Sequence, residues 1–462
     1  MNTSTTTTSA GVADESKVMV KLVSVLPQYE VPDDDIAVPS EIRRKGLSKV
    51  VNYLLGNEDS DDDSDNDIDS DGGRASPSSK VSFDFMVKNK FLRQSVAGYI
   101  RSASLSFESV LTIHFLPRST KPSDSSPSDT LPDWVSSVAH GGPMLAVGCY
   151  DGVVRVFDPK GMGVVVSASA HQAAVKAVAV CADKSLVASG GHDQALKLHS
   201  YDAEAKALTT ASECGGHSAS VEALSFSPSG LLASGDFAGG VCIYEVGDAA
   251  GGAVGGEAAG SKKRKVSGSG SEAGGVTTLT PLHTASLHTA AVTGVAWSSD
   301  SLTLHTASHD SAVRVLDVAT QNPLLTLNGN KAVTCLAMPN APGGTVLATG
   351  HPDSRVRLWD VRRDDSGGSA ASFDATLKPS HRGYVTCISF DCGNPYQLCS
   401  SSHDGTVKRW DVRCSLPLYT VKAHEGGKEV GTGRQGKAMA VECGLGGGLW
   451  SGGSDGVVRR WE

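Results

Sequence analysis

Apolar and polar positions alternate with a period of two through seven short segments that share one layout. They are DGVVRVFD (151–158), DQALKLHS (193–200), AGGVCIYE (238–245), DSAVRVLD (310–317), DSRVRLWD (353–360), DGTVKRWD (404–411) and DGVVRRWE (455–462). Each begins in a tight turn, usually opened by Asp, and runs into a strand that ends on an aromatic or apolar residue. Upstream the pattern differs. KVMVKLV (17–23) alternates as a strand, and the apolar residues of 29–31 and 36–38 flank an acidic turn at Asp33–Asp35, which predicts a second strand. Leu47, Val50, Val51, Leu54 and Leu55 share one helical face, with Ser48 near its start and Gly56 where a left-handed stop belongs. VSFDFMV (81–87) and VLTIHFL (110–116) alternate again as strands, with a turn at 88–90 and Phe91-Leu92 between them.

The seven segments end at 158, 200, 245, 317, 360, 411 and 462. A spacing of about 40–45 residues with this ending is the WD-repeat period. The fold expected over 133–462 is therefore an all-β, seven-bladed WD-repeat β-propeller. Before it, residues 17–116 have the strand, strand, helix, strand order of a small α+β β-grasp, or ubiquitin-like, domain. The repeats resemble the WD family in detail, with a histidine upstream of most turns: His171, His217, His288, His381 and His424. In the sixth repeat His381, Ser400, Asp404 and Trp410 match the family's structural tetrad. A His–Ser–Asp set also invites a nucleophilic-triad reading, but a hydrolase needs one site and this pattern recurs around the ring. Ala238 replaces the turn Asp in repeat three and Asn330 the histidine in repeat five. The Trp position reads Phe157, His199, Tyr244 and Leu316 in the first four repeats, so the first half of the ring is expected to be less regular.

Composition narrows the class. No run of 18 apolar residues exists, and the first 16 residues lack the basic and apolar regions of a secretory signal, so no membrane association is expected. The ten cysteines are scattered without a CxxC pair, which suits buried reduced thiols better than zinc. Net charge is −9, and residues 58–71 alone hold nine acids and no base, so the remainder is neutral and bulk charge does not argue for nucleic-acid binding. Direct RNA contact is left open. Residues 1–16 are expected to be a disordered tail, 58–79 a disordered acidic insert with kinase-type serines at 60 and 64, and 117–132 a linker. Residues 247–276 are Gly-, Ala- and Ser-rich and read as a disordered insert between blades three and four. Lys262, Lys263, Arg264 and Lys265 within it form a basic run of the nuclear-import type. A smaller hairpin is expected at 425–436. The seventh repeat ends on its third strand, and the Pro- and Ser-rich segment 117–132 is a poor strand former, so the partner of that strand is not apparent.

LPQYEVPDDDIAVPSEIRRKGLSKVVNYLL (26–55), VSFDFMVKNKFLRQSVAGYI (81–100) and LSFESVLTIHF (105–115) resemble the ubiquitin-like domain that precedes the propeller in Notchless proteins and in the WD-repeat subunits of the pescadillo–block-of-proliferation (PeBoW) complex. LPDWVSS (131–137), seven repeats rather than eight, and the basic insert favour the second group. That resemblance implies a non-enzymatic assembly factor for the large ribosomal subunit, needed for pre-rRNA processing in the nucleolus and nucleoplasm. The implied partners are the pescadillo and block-of-proliferation subunits, the pre-ribosomal particle and the AAA ATPase midasin. It further implies that Glu108 completes, in trans, the Mg²⁺ shell of midasin's adhesion site, with Arg93 and Asp84 as accompanying partner-binding or internally supporting positions. No cofactor is implied, and the chain has no GxxxxGK[ST] loop for ATP. Two alternatives stand beside it. One is a Notchless-type assembly factor. The other is a cullin-ligase substrate receptor, because Trp359-Asp-Val-Arg362 and Trp410-Asp-Val-Arg413 are WDxR boxes in adjacent repeats.

Overall fold

A computed structural model describes residues 17–24, 29–56, 81–88, 90–107, 109–118, 121–122, 125–247, 277–340, 346–361, 375–377, 381–413, 416–424, 436–444 and 448–461. The chain divides into two units, 1–120 and 121–462.

The first unit is a five-stranded sheet. Its strands are β1 (Lys17–Ser24), β2 (Asp35–Pro39), β3 (Phe83–Val87), β4 (Lys90–Phe91) and β5 (Leu111–Pro117), in the order β2-β1-β5-β3-β4. β1 and β5 are parallel and the other pairs antiparallel, the β-grasp arrangement. Helix α1 (Arg44–Leu54) lays Leu47 and Val51 on a core of Val18, Val20, Leu22, Phe83, Phe85, Ile113 and Phe115. Ser48 does not cap this helix. It lies within α1, where its hydroxyl donates to Phe83 O (3.2 Å) and accepts from Phe83 N (3.1 Å). Asn52 continues the contact by donating to Val81 O at 2.8 Å, so two polar positions of α1 tie the helix to the chain at β3. Residues 29–31, expected to be extended, form no strand, and the antiparallel partner of β1 is Asp35–Pro39. A second helix, α2 (Val96–Ser102), was not predicted. Ser95 caps it by accepting from Gly98 N at 3.2 Å.

The second unit contains seven sheets of four or five strands. The first strands of successive sheets pack against one another around a ring, and Ala438–Cys443 of the seventh packs against Val135–Gly141 of the first. The ring is thus a closed seven-bladed propeller. The loops leading into the first strands and the turns between second and third strands lie on one side, here called the upper face. Blade two gains a fifth strand, Thr277–Leu279, parallel to Ala207–Cys214, where the chain returns from the insert.

The seventh blade corrects the expectation for residues 117–132. Ser125–Pro127, here β6, pairs antiparallel with Val458–Trp461 and supplies the missing outer strand. The stretch read as a linker therefore belongs in part to the propeller. Its poor strand propensity is overridden because it only has to cover one edge, where proline is tolerated.

Candidate functional site

The segment around position 108 leaves α2 and feeds β5. Leu105 and Phe107 are partly buried against the core of the first unit, and Leu105 N donates to Ile100 O at 3.0 Å. The Arg101 guanidinium lies 6.0 Å from the Phe107 ring centre, and Ser109 Oγ donates to Ser106 O at 2.9 Å. Both sides of position 108 are therefore anchored. Glu108 itself lies outside the described residues. Arg93 is exposed, with its guanidinium 5.5 Å from the Phe91 ring. Asp84 is buried on β3 and pairs with Arg44 at 3.3 Å, which fits the internal-support reading of this position. Lys262–Lys265 also lie outside the described residues.

In blade six the structure brings His381, Ser400 and Trp410 together. His381 Nε2 is 2.7 Å from Ser400 Oγ, which accepts from Trp410 Nε1 at 2.8 Å. Asp404 is 3.5 Å from His381 Nδ1, and accepts from Thr406 N at 2.9 Å and Arg382 N at 2.7 Å. Burial disfavours the charge on Asp404, but these contacts outweigh it and hold the carboxyl well below its usual range. Gly405 follows with φ 75°, and a side chain there would meet the His424 carbonyl. In blade seven His424, Asp455, Ser451 and Trp461 repeat the set, with Asp455 held at about 2 against burial by His424 and Arg459.

In blades two, three and five another polar side chain takes the missing member's place. In blade two His199 takes the Trp position, its Nε2 2.8 Å from Ser189 Oγ, while His171 meets Asp193 at 2.9 Å. Burial, then the neighbouring His171, push His199 down to about 4, so it is neutral near pH 7 and can stand in for the indole N–H. In blade three Asp236, two residues before Ala238, supplies the carboxylate, 3.0 Å from His217 and accepting from Ala238 N and Gly240 N. In blade five His351 replaces the absent loop histidine, 2.8 Å from Thr349 Oγ, which also accepts from Trp359 Nε1 at 2.7 Å. Asp236 and His351 occupy the same repeat position, the one held by Gly191 in blade two. Blade one is apolar instead, with Leu131, Val147 and Phe157 in one cluster. The turn Asp151 is retained there and pairs with Arg155 at 2.6 Å, so the apolar replacement leaves it no orphan. Such sets, recurring around the ring and buried, are structural joints.

The upper face has a different character. At one backbone position the turn amide after the second strand donates to the residue leading into the first strand: Tyr150 to Trp134, His192 to Ala174, Phe237 to Ser220, His309 to Ala291, His403 to Tyr384 and Ser454 to Lys437. Across blades six, seven and one this position is aromatic and basic. Tyr384 stacks on His403 with ring centres 5.7 Å apart, Trp134 meets Tyr150 edge-on at 5.8 Å, and Lys437 reaches across from blade seven to Trp134 at 5.7 Å. Lys176 lies 5.5 Å from Tyr150, and Phe237 continues the arc in blade three. Phe237 is 61 % exposed, Tyr384 55 % and Trp134 40 %, large rings left in water on one face. The sequence reading missed this arc, although its residues immediately precede the turn Asp in four repeats (Tyr150, His192, His309, His403). Among the described residues no cluster of His, Cys, Asp or Glu has metal-binding geometry, and no helix is long and apolar enough to cross a membrane.

Residues 18–100 match the NLE (NUC135) domain, and six segments match the WD domain, G-beta repeat: 125–158, 164–200, 208–245, 279–317, 321–360 and 372–411. The seventh blade combines strands of 438–461, beyond the last of these matches, with Ser125–Pro127, which opens the first of them. The chain is 31 % identical to "Ribosome biogenesis protein WDR12 homolog" of Chlamydomonas reinhardtii, over 97 % of this chain and 98 % of that protein. It is 29 % identical to "Ribosome biogenesis protein YTM1" of Eremothecium gossypii, over 97 % and 98 %, and 28 % identical to the WDR12 homolog of Arabidopsis thaliana, over 96 % of each. With an NLE domain followed by a closed WD-repeat ring, and with relatives matched along nearly their whole length, the chain belongs to the WDR12/YTM1 family of ribosome biogenesis proteins.

Proposed function

We propose that this chain is a non-enzymatic assembly factor for the large ribosomal subunit, required for pre-rRNA processing in the nucleolus and nucleoplasm. The observation that carries the reading is the full-length match to relatives named ribosome biogenesis proteins, domain by domain. The propeller docks a propeller of the block-of-proliferation partner, and the ubiquitin-like unit is the handle that midasin binds through Glu108 and pulls. The energy is the ATPase's.

The upper-face arc supports a docking role for the propeller. Trp, Tyr and Arg dominate the energetics of protein interfaces, and exposed rings bracketed by lysines suit a partner surface that combines apolar and acidic groups. Trp134→Ala together with Tyr384→Ala should weaken binding of the partner propeller at least about 30-fold, or about 2 kcal/mol. The ring should stay folded, since both side chains are exposed. Isothermal titration with the isolated partner propeller measures it. Unchanged affinity removes this face from the reading, and loss of RNA binding with intact partner binding would assign it to nucleic acid.

The cullin-receptor alternative gains nothing from blade six. Arg413 of its WDxR box is held by Asp411 through two hydrogen bonds, 2.9 and 2.7 Å, and lies 4.4 Å from the Tyr396 ring. That guanidinium is already committed within the blade. For localisation, replacing Lys262–Lys265 with Ala should slow nuclear import of the chain expressed without its partners. Undiminished nuclear accumulation would rule the basic run out as the import signal.

A further inference from the structure

The last blade of the ring is completed by a short non-local contact. In the other six blades the outer strand follows the third strand along the chain, but blade seven borrows its outer strand from β6, over 300 residues away. Three register pairs hold it: Ser125 with Trp461, Ser126 with Arg460 and Pro127 with Arg459. Pro127 has no N–H to give. The remaining ties are Ser128 N to Val458 O (2.8 Å), Val458 N to Ser128 Oγ (3.1 Å) and Leu131 N to Gly456 O (2.7 Å). The covalent path from the first unit runs directly into this strand, because β5 ends at Pro117 and β6 starts at Ser125.

We infer that β6 is a tension-sensitive latch: a pull on the N-terminal unit peels Ser125–Pro127 from Val458–Trp461 and opens blade seven before any other sheet yields. The physiological use of this device rests on the reading of the first unit as a pulled handle. Chain connectivity puts this seam first in the ring's load path. Load entering at residue 118 must cross the β6 seam before it reaches Val135–Gly141, the first strand of the ring proper. The chain runs on from the latch to Trp134, which lies 5.7 Å from Lys437 of blade seven where the innermost strands of blades seven and one meet. Opening the latch separates that pair, so tension on the handle disrupts the docking surface. The pull is thereby converted into release of a docked protein without unfolding the whole ring.

The test is force spectroscopy on the full chain, with handles attached at Lys121 and Lys206, both exposed. The expected record has a first, low-force step of about 3 nm, the length freed when residues 125–134 leave the ring at roughly 3.4 Å each. Ser126→Cys with Arg460→Cys joins directly paired positions of an antiparallel ladder, where a disulfide fits. In the oxidised variant the step should vanish, and reductant should restore it. Ser128→Ala should lower the force of the step while leaving its length unchanged. A first rupture of tens of nanometres, or a 3 nm step that survives the cross-link, would overturn the latch. No ATPase is present in this assay. A first unit that bound no ATPase would therefore leave the step intact and would fail only the reading of the handle.

Discussion

Glu108→Ala should abolish binding to the midasin adhesion site, by at least about 100-fold or about 2.7 kcal/mol, while binding of the partner propeller stays unchanged. The proposed contact is one carboxylate on Mg²⁺. That ion keeps most of its waters, takes one or two carboxylates and demands octahedral geometry at about 2.0–2.1 Å. Loss of the single ligand from this chain cannot be shared out among neighbours. Glu108→Asp should fail nearly as badly, because it keeps the charge but shortens the reach by about 1.5 Å, one C–C bond. The backbone has little freedom to follow, since Phe107 is packed on the core and under Arg101, and Ser109 is bonded to Ser106. EDTA should remove binding of the unaltered chain as completely as the mutation does. In cells the Glu108→Ala chain should join pre-ribosomes and fail to leave them, a dominant-negative block. Metal-dependent binding retained by Glu108→Ala would move the ligand to another acid. Asp34 is the next to examine, because it is exposed in the acidic turn while Asp33 is tied to Lys21 at 2.9 Å.

The strands were legible wherever one face is buried and one is not. β1 shows this in Val18, Val20 and Leu22, and the seven tail segments show it in every blade. Helix α2 escaped because seven residues are too few for a periodic signal, although Ser95 before Val96 was a usable cap. β6 was illegible for a different reason. Its residues carry no strand preference, and its partner lies at the other end of the ring, so only three-dimensional closure assigns it. The repaired joints fall between these cases. Ala238 and Asn330 read as losses because each was compared with its own alignment column. The compensation sits at a different repeat position, where a glycine or another small residue is replaced by Asp236 in blade three and His351 in blade five. Polar groups as buried as Ser234 and Thr349 must find partners, so a missing tetrad member predicts a polar substitution nearby. The site residues are less legible still. Asp84 matched a family position, and only burial and its Arg44 partner favour the internal role.

Trp410→Ala should be the most damaging single change in the propeller. The indole is fully buried, it packs with Val385, Phe390 and Leu398, and its N–H reaches Ser400 at 2.8 Å. Truncating such a side chain leaves a cavity and costs about 3–5 kcal/mol, which should lower the melting temperature by roughly 4–7 °C in a unit of this size. Asp404→Ala removes the acceptor for Arg382 N, Thr406 N and the Thr406 hydroxyl and leaves His381 Nδ1 without its carboxylate. Leaving such groups unsatisfied costs about 1–3 kcal/mol. Trp410→Phe separates the two contributions, since it keeps most of the ring volume and loses the donor, and should fall between wild type and Trp410→Ala. Differential scanning calorimetry and circular dichroism on the full chain read all three. The pattern discriminates between a joint and a catalytic triad, because a joint loses stability and partner binding together. If Asp404→Ala melted like wild type yet erased a hydrolytic activity of the chain, the tetrad would have to be reassigned as a reactive site. A Trp410→Ala chain with an unchanged melting profile would mean that blade six does not depend on this joint.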